Sequence, residues 1–286
     1  MCFILSAAKN LFALLACVLL LAGCAAPVQK QALPSLPQKT LEEAIASLKS
    51  QRENIRPIRA AGHCLLRYRL NDKDHKENFP VKIWTSPPAE IYLQGDVAFD
   101  ATGLVLGSNA AEFWFWLKPK EISSFWWGKW SQAGLWQGLV ISPIVLLEAF
   151  GAVDVSAGDW SLTHGQYDIL WLHNENGELL KRVFIEPDDY VVVKIEYFDS
   201  YEIIAAVAEF SGRKKTNDGS FIPSRIKINA PALDGSVNSA EISLSSVRTV
   251  QLNDQQRKRL FVRPKPEGFD HIFKIVNGRQ VEQVNE

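Results

Sequence analysis

Apolar and polar residues alternate with a period of two through most of the chain after residue 61. The alternation is clearest at 225–228 and 241–244, and it indicates strands with one face in a core and one face in water. Asn, Asp, Gly and Pro residues separate these segments and predict turns between them. The candidate strands are 62–70, 79–85, 90–97, 112–117, 121–127, 160–163, 167–173, 179–185, 190–198, 203–210, 222–229 and 240–250. We therefore predict a mainly β protein with a long antiparallel meander of about eleven strands.

Two segments carry helix signals instead. Thr40 precedes an apolar-periodic segment and Glu43 follows three residues later, which is the capping-box pattern of a helix start. Pro57 ends this helix because proline lacks the backbone N–H that a helix interior needs. The second segment, Ser142–Gly151, has Pro at the first helical position and Gly after the last turn. A helix that is apolar all round must be covered, so we predict a short helix over or in the mouth of the sheet.

The N-terminus has the pattern of a bacterial lipoprotein signal. Lys9 precedes the apolar run Leu11–Leu21, and Ala22, Gly23 and Cys24 follow it. The run is shorter than the roughly 20 residues that span a membrane, and its order is typical of a cleaved secretory signal. The last four residues resemble a lipobox, which implies cleavage before Cys24 and acylation of Cys24, and several acyl chains hold a protein firmly on a bilayer. An ordinary cleaved signal that ends in Gly-Cys is the alternative.

These patterns divide the chain into three regions. Residues 1–23 are the predicted signal peptide, residues 24–39 the lipidated cysteine and a flexible tether, and residues 40–286 a single domain. The tether combines prolines with Gln, Ser and Ala and has too little apolar surface to fold. Because residue 25 is alanine and not aspartate, the resemblance to Gram-negative lipoproteins favours the outer membrane, facing the periplasm.

The composition argues against several function classes. The chain has 31 basic and 32 acidic residues, so nothing attracts it to nucleic acid. Cys2 and Cys17 leave with the signal, so Cys64 is the one thiol left beside the acylated cysteine, and its apolar neighbours predict a buried, inert group. The five histidines lack metal-ligand spacing, and we expect neither a metal nor a cofactor. We expect no enzyme, because no nucleophile motif is present; a hydrolase whose triad forms only in the fold is the least favoured class.

Six of the nine tryptophans lie between residues 114 and 136. Trp114 and Trp116 share one strand face while Phe113 and Phe115 share the other, so both faces are aromatic. Indole rings favour surfaces that are apolar on one side and wet on the other. Two interpretations stay open: the rings fill a β core, or they line an apolar cavity or a membrane-facing rim.

The order of these features resembles the lipoprotein-localisation-factor (LolA/LolB-like) superfamily. The resemblance rests on the succession of a lipobox, a tether, an N-terminal helix and a meander. Locally it rests on segments 112–120 and 126–130, which are followed by Ser142–Gly151. It implies a strongly curved antiparallel sheet, an incomplete β-barrel, with an N-terminal helix and a short apolar lid helix over a cavity that accepts acyl chains.

The resemblance and the aromatic pattern together give a candidate site. In the leading hypothesis, the chain is a membrane-anchored lipoprotein that binds the acyl chains of lipids or lipidated proteins for transport or insertion in the cell envelope. The candidate cavity or lid residues are Trp114, Trp116, Trp126, Trp127, Leu146, Leu147 and Phe150. The rival hypothesis is a structural or assembly lipoprotein with a filled core, whose aromatic residues contact a partner protein of the envelope.

Overall fold

The computed structural model describes residues 38–70, 73–97, 100–119, 122–133, 141–231 and 236–283. The signal peptide, Cys24, most of the tether and Trp136 lie outside the described residues. The helices are α1 Leu41–Asn54, α2 Trp130–Ala133, α3 Pro143–Ala149 and α4 Asp254–Phe261. The strands are β1 Ile58–Leu70, β2 Lys73–Ser86, β3 Glu90–Val97, β4 Asp100–Ser108, β5 Glu112–Leu117, β6 Ser124–Lys129, β7 Asp159–Thr163, β8 Asp168–His173, β9 Leu179–Glu186, β10 Val191–Phe198, β11 Ile204–Lys215, β12 Phe221–Pro231, β13 Val237–Thr249, β14 His271–Val276 and β15 Arg279–Glu282. None of the helices in the described ranges has the length and apolar character that a membrane span requires.

All these strands belong to one open sheet. Their order is β15-β14-β6-β5-β4-β3-β2-β1-β13-β12-β11-β10-β9-β8-β7. Neighbours are antiparallel except that β14 runs parallel to β6. The outermost strands, β15 and β7, do not pair with each other, so the predicted mainly β fold with an incomplete barrel is confirmed. In the described part of the chain the sheet has fifteen strands, more than the predicted number.

The position of helix α3 shows how strongly the sheet curves. This helix contacts β3 and β4 on one side and β11 and β12 on the other. Strands β4 and β11 are six steps apart in the sheet order, which corresponds to about 29 Å in a flat sheet with the usual strand spacing. A helix with its side chains is only about 10–12 Å wide. The sheet must therefore bend around α3, and its inner face forms a hollow that holds this helix.

The main hydrophobic core lies between the inner face of the sheet and the helices α1 and α3. Strand residues such as Leu93, Leu104 and Ile242 are fully buried there, together with Ala44 and Leu48 of α1. The predicted capping box of α1 is confirmed, because the Thr40 hydroxyl accepts from the Glu43 amide and the Thr40 amide donates to the Glu43 carboxylate. The N-terminal helix therefore packs against the main core through Ala44 and Leu48.

The predicted apolar helix is present, with one difference at its start. It begins at Pro143, and the preceding Ser142 makes no side-chain hydrogen bond to the helix. Gly151 follows the last turn with a φ of +91°, in the left-handed region that glycine adopts without steric cost. Proline and glycine therefore set the two ends of this helix.

The C-terminal part of the chain, after β13, forms one helix and two further strands. Helix α4 begins with a second capping box, formed by Asn253 and Gln256. The helix contacts β3 and β4, and the chain then adds β14 and β15 to the sheet beside β6. Phe269, between α4 and β14, packs against Trp116 and Phe125. This segment covers the outer face of β3 to β6.

Candidate functional site

Helix α3, which we name the lid helix, occupies the hollow as an almost fully buried apolar segment. Leu146 is 0 % exposed, Leu147 5 % and Phe150 2 %, and all three belong to the main core. Ile144 is 44 % exposed and marks the side of the helix that faces away from the sheet. The three predicted lid residues therefore contact the inner face of the sheet directly.

The lid helix also carries a buried carboxylate, Glu148, which is 3 % exposed. Its Oε1 atom lies 2.7 Å from Nζ of Lys181, and its Oε2 atom accepts a hydrogen bond from the hydroxyl of Tyr197. Burial, followed by the nearby Glu148 charge, raises the pKa of Tyr197 well above its ordinary value, so this hydroxyl keeps its proton and acts as a donor. Both carboxylate oxygens of Glu148 are thus paired inside the hollow.

The strand register explains why Lys181 and Tyr197 meet. The two residues are direct cross-strand partners in β9 and β10. Lys181 shares its strand face with the core residue Val183, and Tyr197 shares its face with the core residue Ile195. The next cross-strand pair, Arg182 and Glu196, consequently points to the opposite face of the sheet.

Two cavities lie near opposite ends of β1, and the first of them lies beside the lid helix. One has a volume of about 350 Å³ and is lined by Ile58, Glu148, Phe150 and Ile222, among others. The second has a volume of about 370 Å³ and is lined mainly by inner-face residues, which are Leu66, Tyr68, His75, Glu77, Phe79, Val97, Leu104, Leu117, Pro119 and Ile122. Both volumes lie within the range of about 300–1,000 Å³ that is typical of small-molecule sites. The interior of the sheet is therefore occupied in its middle and open towards both ends.

The four predicted tryptophans do not share one surface. Trp114 and Trp116 form a separate cluster with Val105 and Phe125, and Trp127 packs against that cluster. Because side chains alternate along a strand, this cluster lies on the outer face of the sheet, beneath the C-terminal segment. Trp126 points to the other face, where it packs against the main core. Three of these four tryptophans therefore lie on the face opposite to the lid residues Leu146, Leu147 and Phe150.

The outer tryptophans are held by specific contacts with neighbouring segments. Trp116 donates its indole N–H to the carbonyl of Thr102 at 2.9 Å. The Arg263 guanidinium lies 4.1 Å from the ring centroid of Trp127, an arrangement that attracts the cation to the ring. Arg263 in turn pairs with Glu112 at 2.9 Å. These contacts fasten the C-terminal segment onto the aromatic strands β5 and β6.

Cys64, the one cysteine in the part of the chain that the structure describes, is not a reactive group. Cys64 is buried in the main core, and burial raises the pKa of its thiol to about 12, so the nucleophilic thiolate is suppressed. Within the described ranges, no three His, Cys, Asp or Glu side chains are grouped closely enough to hold a metal ion. The inner face is mainly apolar, and Lys181 and Tyr197 form its polar contact with the lid helix.

The contact of Glu148 with Lys181 and Tyr197 was not predicted from the sequence, because these residues are far apart in the chain. Two signals were nevertheless present. Lys181 falls on the inward parity of a strand that also carries Val183 and Ile185, and Glu148 is the one charged residue of an otherwise apolar helix. A charge at an inward position needs a partner of opposite sign, and the fold brings these two together.

Comparison with known proteins supports the description of the fold. No protein-family model matches the chain, and no curated protein matches it in sequence. A domain from Vibrio parahaemolyticus, described as an outer membrane lipoprotein-sorting protein domain, has a TM-score of 0.50 at 14% identity, over 76% of this chain and 95% of its own. A DUF1329 family protein from Desulfovibrio piger also has a TM-score of 0.50 at 14% identity, over 76% of this chain and 96% of its own. A LolA superfamily protein from Nitrosomonas europaea has a TM-score of 0.49 at 11% identity, over 76% of this chain and 97% of its own. The fold that the resemblance implied is confirmed by the likeness to the Vibrio parahaemolyticus domain.

Proposed function

We propose that this protein is a lipid-anchored, non-enzymatic component of the cell envelope that binds acyl chains of lipids or lipoproteins in its hollow, for their transport or insertion. The lid helix is the observation that carries this proposal. It is a seven-residue apolar helix enclosed by the sheet, and an isolated helix of this length is not stable in water. Its position therefore depends on apolar contacts, which an acyl chain is able to replace at roughly 25 cal/mol per Å² of buried area.

The likeness in fold supports the same proposal. The domain from Vibrio parahaemolyticus is described as a lipoprotein-sorting protein, and such a task requires a place for acyl chains. Function resides in a site and not in a fold, so the proposal depends on the hollow around the lid helix and on the cavities near the two ends of β1. These two cavities extend the hollow beyond the helix at both ends of β1.

Native mass spectrometry of the full chain purified from cells tests the proposal. We expect the protein to retain one or more lipid molecules, identified by their mass after release. The variant Leu146→Phe overpacks a site that is fully buried against the inner face, which weakens the closed state, and we expect it to raise the amount of retained lipid because the ligand competes with the helix. Protein that is free of lipid in several preparations, and that takes up no added acyl probe, would contradict the proposal.

A structural or assembly role is the second candidate, and the buried state of the lid helix favours it. With Leu146, Leu147 and Phe150 in place, the middle of the hollow has the dense packing of an ordinary core. In that case the protein holds no lipid and binds a partner protein of the envelope. The same mass spectrometry distinguishes the two candidates, since the second predicts a reproducible protein partner without lipid.

A further inference from the structure

Lys181 is a cation inside an apolar hollow, and its one carboxylate partner in the described part of the chain belongs to the lid helix. Glu148 lies 2.7 Å from its Nζ atom. The other inward carboxylate on the adjacent strand, Asp168, is four residues further along β8, about 13 Å away by strand geometry, and it pairs with His164. Glu196 faces the outer side of the sheet, where it pairs with Arg182 and Lys194.

Displacement of the lid helix by a ligand therefore changes the charge balance of the hollow. When the helix leaves, Glu148 leaves with it, while Lys181 and Tyr197 stay on β9 and β10. A buried cation without an anion is strongly unfavourable. A ligand that brings its own negatively charged oxygen removes this cost, whereas a neutral ligand does not.

We propose that the hollow selects acyl chains that end in a carboxylate, such as free fatty acids, and that Lys181 and Tyr197 form the head-group site. This inference rests on the proposed function. In the closed state, the Glu148 carboxylate occupies the place of the ligand's head group. One of its oxygens contacts the Lys181 ammonium and the other accepts from the Tyr197 hydroxyl. A fatty-acid carboxylate would accept the same two hydrogen bonds, one from the Lys181 ammonium and one from the Tyr197 hydroxyl.

The same geometry discriminates against neutral esters. A methyl ester offers a carbonyl oxygen but no charge, so the charge-assisted part of both contacts is lost. Hydrogen bonds to charged groups contribute enough that the acid is expected to bind about tenfold or more tightly than its ester. The apolar part of the two ligands is nearly identical, so the ratio of their affinities isolates the head-group contribution.

The test compares palmitic acid with methyl palmitate at neutral pH. The full chain, purified in a mild non-ionic detergent, is titrated with each ligand in competition with a fluorescent acyl probe. We expect the acid to displace the probe at about tenfold lower concentration than the ester. Equal displacement by both ligands overturns this inference and leaves the proposed function standing, while displacement by neither overturns the proposed function as well.

Two variants locate the selectivity in the hollow. Glu148→Gln removes the carboxylate that competes for Lys181, and we expect both ligands to bind more tightly while the acid keeps its preference. The double variant Glu148→Gln with Lys181→Met leaves no unpaired charge buried, and we expect it to bind acid and ester equally. Lys194→Met is the matched control, because Lys194 lies on the outer face of β10 and pairs with Glu196. An acid preference that persists in the double variant, or that disappears in Lys194→Met, contradicts the assignment.

Discussion

At the scale of single residues, the ion pair between Glu148 and Lys181 is the feature that most distinguishes the hollow from a simple apolar core. The Glu148 side chain is 3 % exposed and that of Lys181 10 % exposed. Burying both charges costs desolvation energy that their attraction does not fully return. The pair is therefore poor evidence for stability, and its position between helix and sheet suits a contact that is made and broken.

Removing one member of this pair tests its buried character. Lys181→Met leaves the Glu148 carboxylate without its cation, and we expect the free energy of unfolding to fall by about 3–5 kcal/mol. Adding Glu148→Leu removes the orphaned charge, so the double variant is expected to regain most of this loss. Urea unfolding of both variants measures the effect. A single variant as stable as the double variant would show that the pair is solvated.

The Cys64 thiol provides a second prediction at the residue scale. Burial raises its pKa from 9.0 to about 12, so folding holds the thiol in its protonated form. The contribution of the protonated, buried thiol to the free energy of unfolding is complete below pH 9. It is lost as the pH rises towards 12, because in that window Cys64 ionises only in the unfolded chain. We expect iodoacetamide at pH 9 to modify Cys64 in urea and to spare it in the native chain, as measured by peptide mass spectrometry. Rapid modification of native Cys64 would place it at an accessible surface.

At the scale of elements, the C-terminal segment acts as a cover for the outer aromatic cluster. Helix α4 contacts β3 and β4, and Phe269 lies 6.1 Å from Trp116 and 5.4 Å from Phe125 between ring centroids. Arg257 pairs with Glu90, and Arg263 pairs with Glu112. The outer tryptophans thus have a packing role that is independent of the hollow.

Truncating Phe269 tests this role. Phe269→Ala removes a half-buried ring that covers Trp116, and we expect it to lower the free energy of unfolding by about 2 kcal/mol. We also expect acrylamide to quench tryptophan fluorescence more strongly. Phe221→Ala is the control, because Phe221 is 61 % exposed and its loss is expected to change neither measurement. Unchanged quenching in Phe269→Ala would mean that the cover is loose in solution.

Local signals predicted the N-terminal helix and most of the strands, and they missed strand β4. The helix start at Thr40 and the strands β12 and β13 were predicted correctly, since the capping box and the alternation are each visible in a few consecutive residues. Strand β4 was missed because Leu104, Val105 and Leu106 are consecutive apolar residues, buried on both faces of the sheet. Alternation disappears in such a strand. Contacts with the C-terminal segment, more than 150 residues away for Arg263 and Glu112, carry no local signature.

The candidate site was predicted in its apolar part and missed in its polar part. The lid residues Leu146, Leu147 and Phe150 follow from an apolar helix between proline and glycine. The pair of Glu148 and Lys181 joins residues 33 positions apart, and only the fold brings these two side chains together. The tryptophans show the same limit, because parity separates Trp126 from Trp127 but does not say which face is inside.

At the scale of the whole molecule, we propose that the curved sheet is held close to a membrane surface. The sheet bends around the lid helix and stays open at its edges. A lipid anchor at Cys24 and the following tether would keep this hollow near the bilayer from which acyl chains come. The anchor is a proposal from the sequence, and Cys24 lies outside the described residues.

Replacing Cys24 tests the anchor. We expect Cys24→Ala to remove the acyl groups. The membrane fraction should then contain no protein with an acylated N-terminal peptide. Mass spectrometry of that peptide from the unaltered protein is expected to show an acylated Cys24. Cys64→Ser is the control, because Cys64 is a buried core residue and its replacement is expected to leave the acylation intact. An unmodified cysteine in the unaltered protein would remove the basis for anchoring.

Hydrogen exchange of the lid helix tests the central claim, that acyl chains take the place of this helix in the hollow. Backbone amides of residues 146–150, which donate within the helix, are expected to exchange slowly in the free protein and much faster when palmitate is bound, because the helix then leaves the sheet. Amides of β9 and β10 are expected to stay protected in both states. Bound palmitate with an unchanged or more strongly protected lid helix would contradict the account.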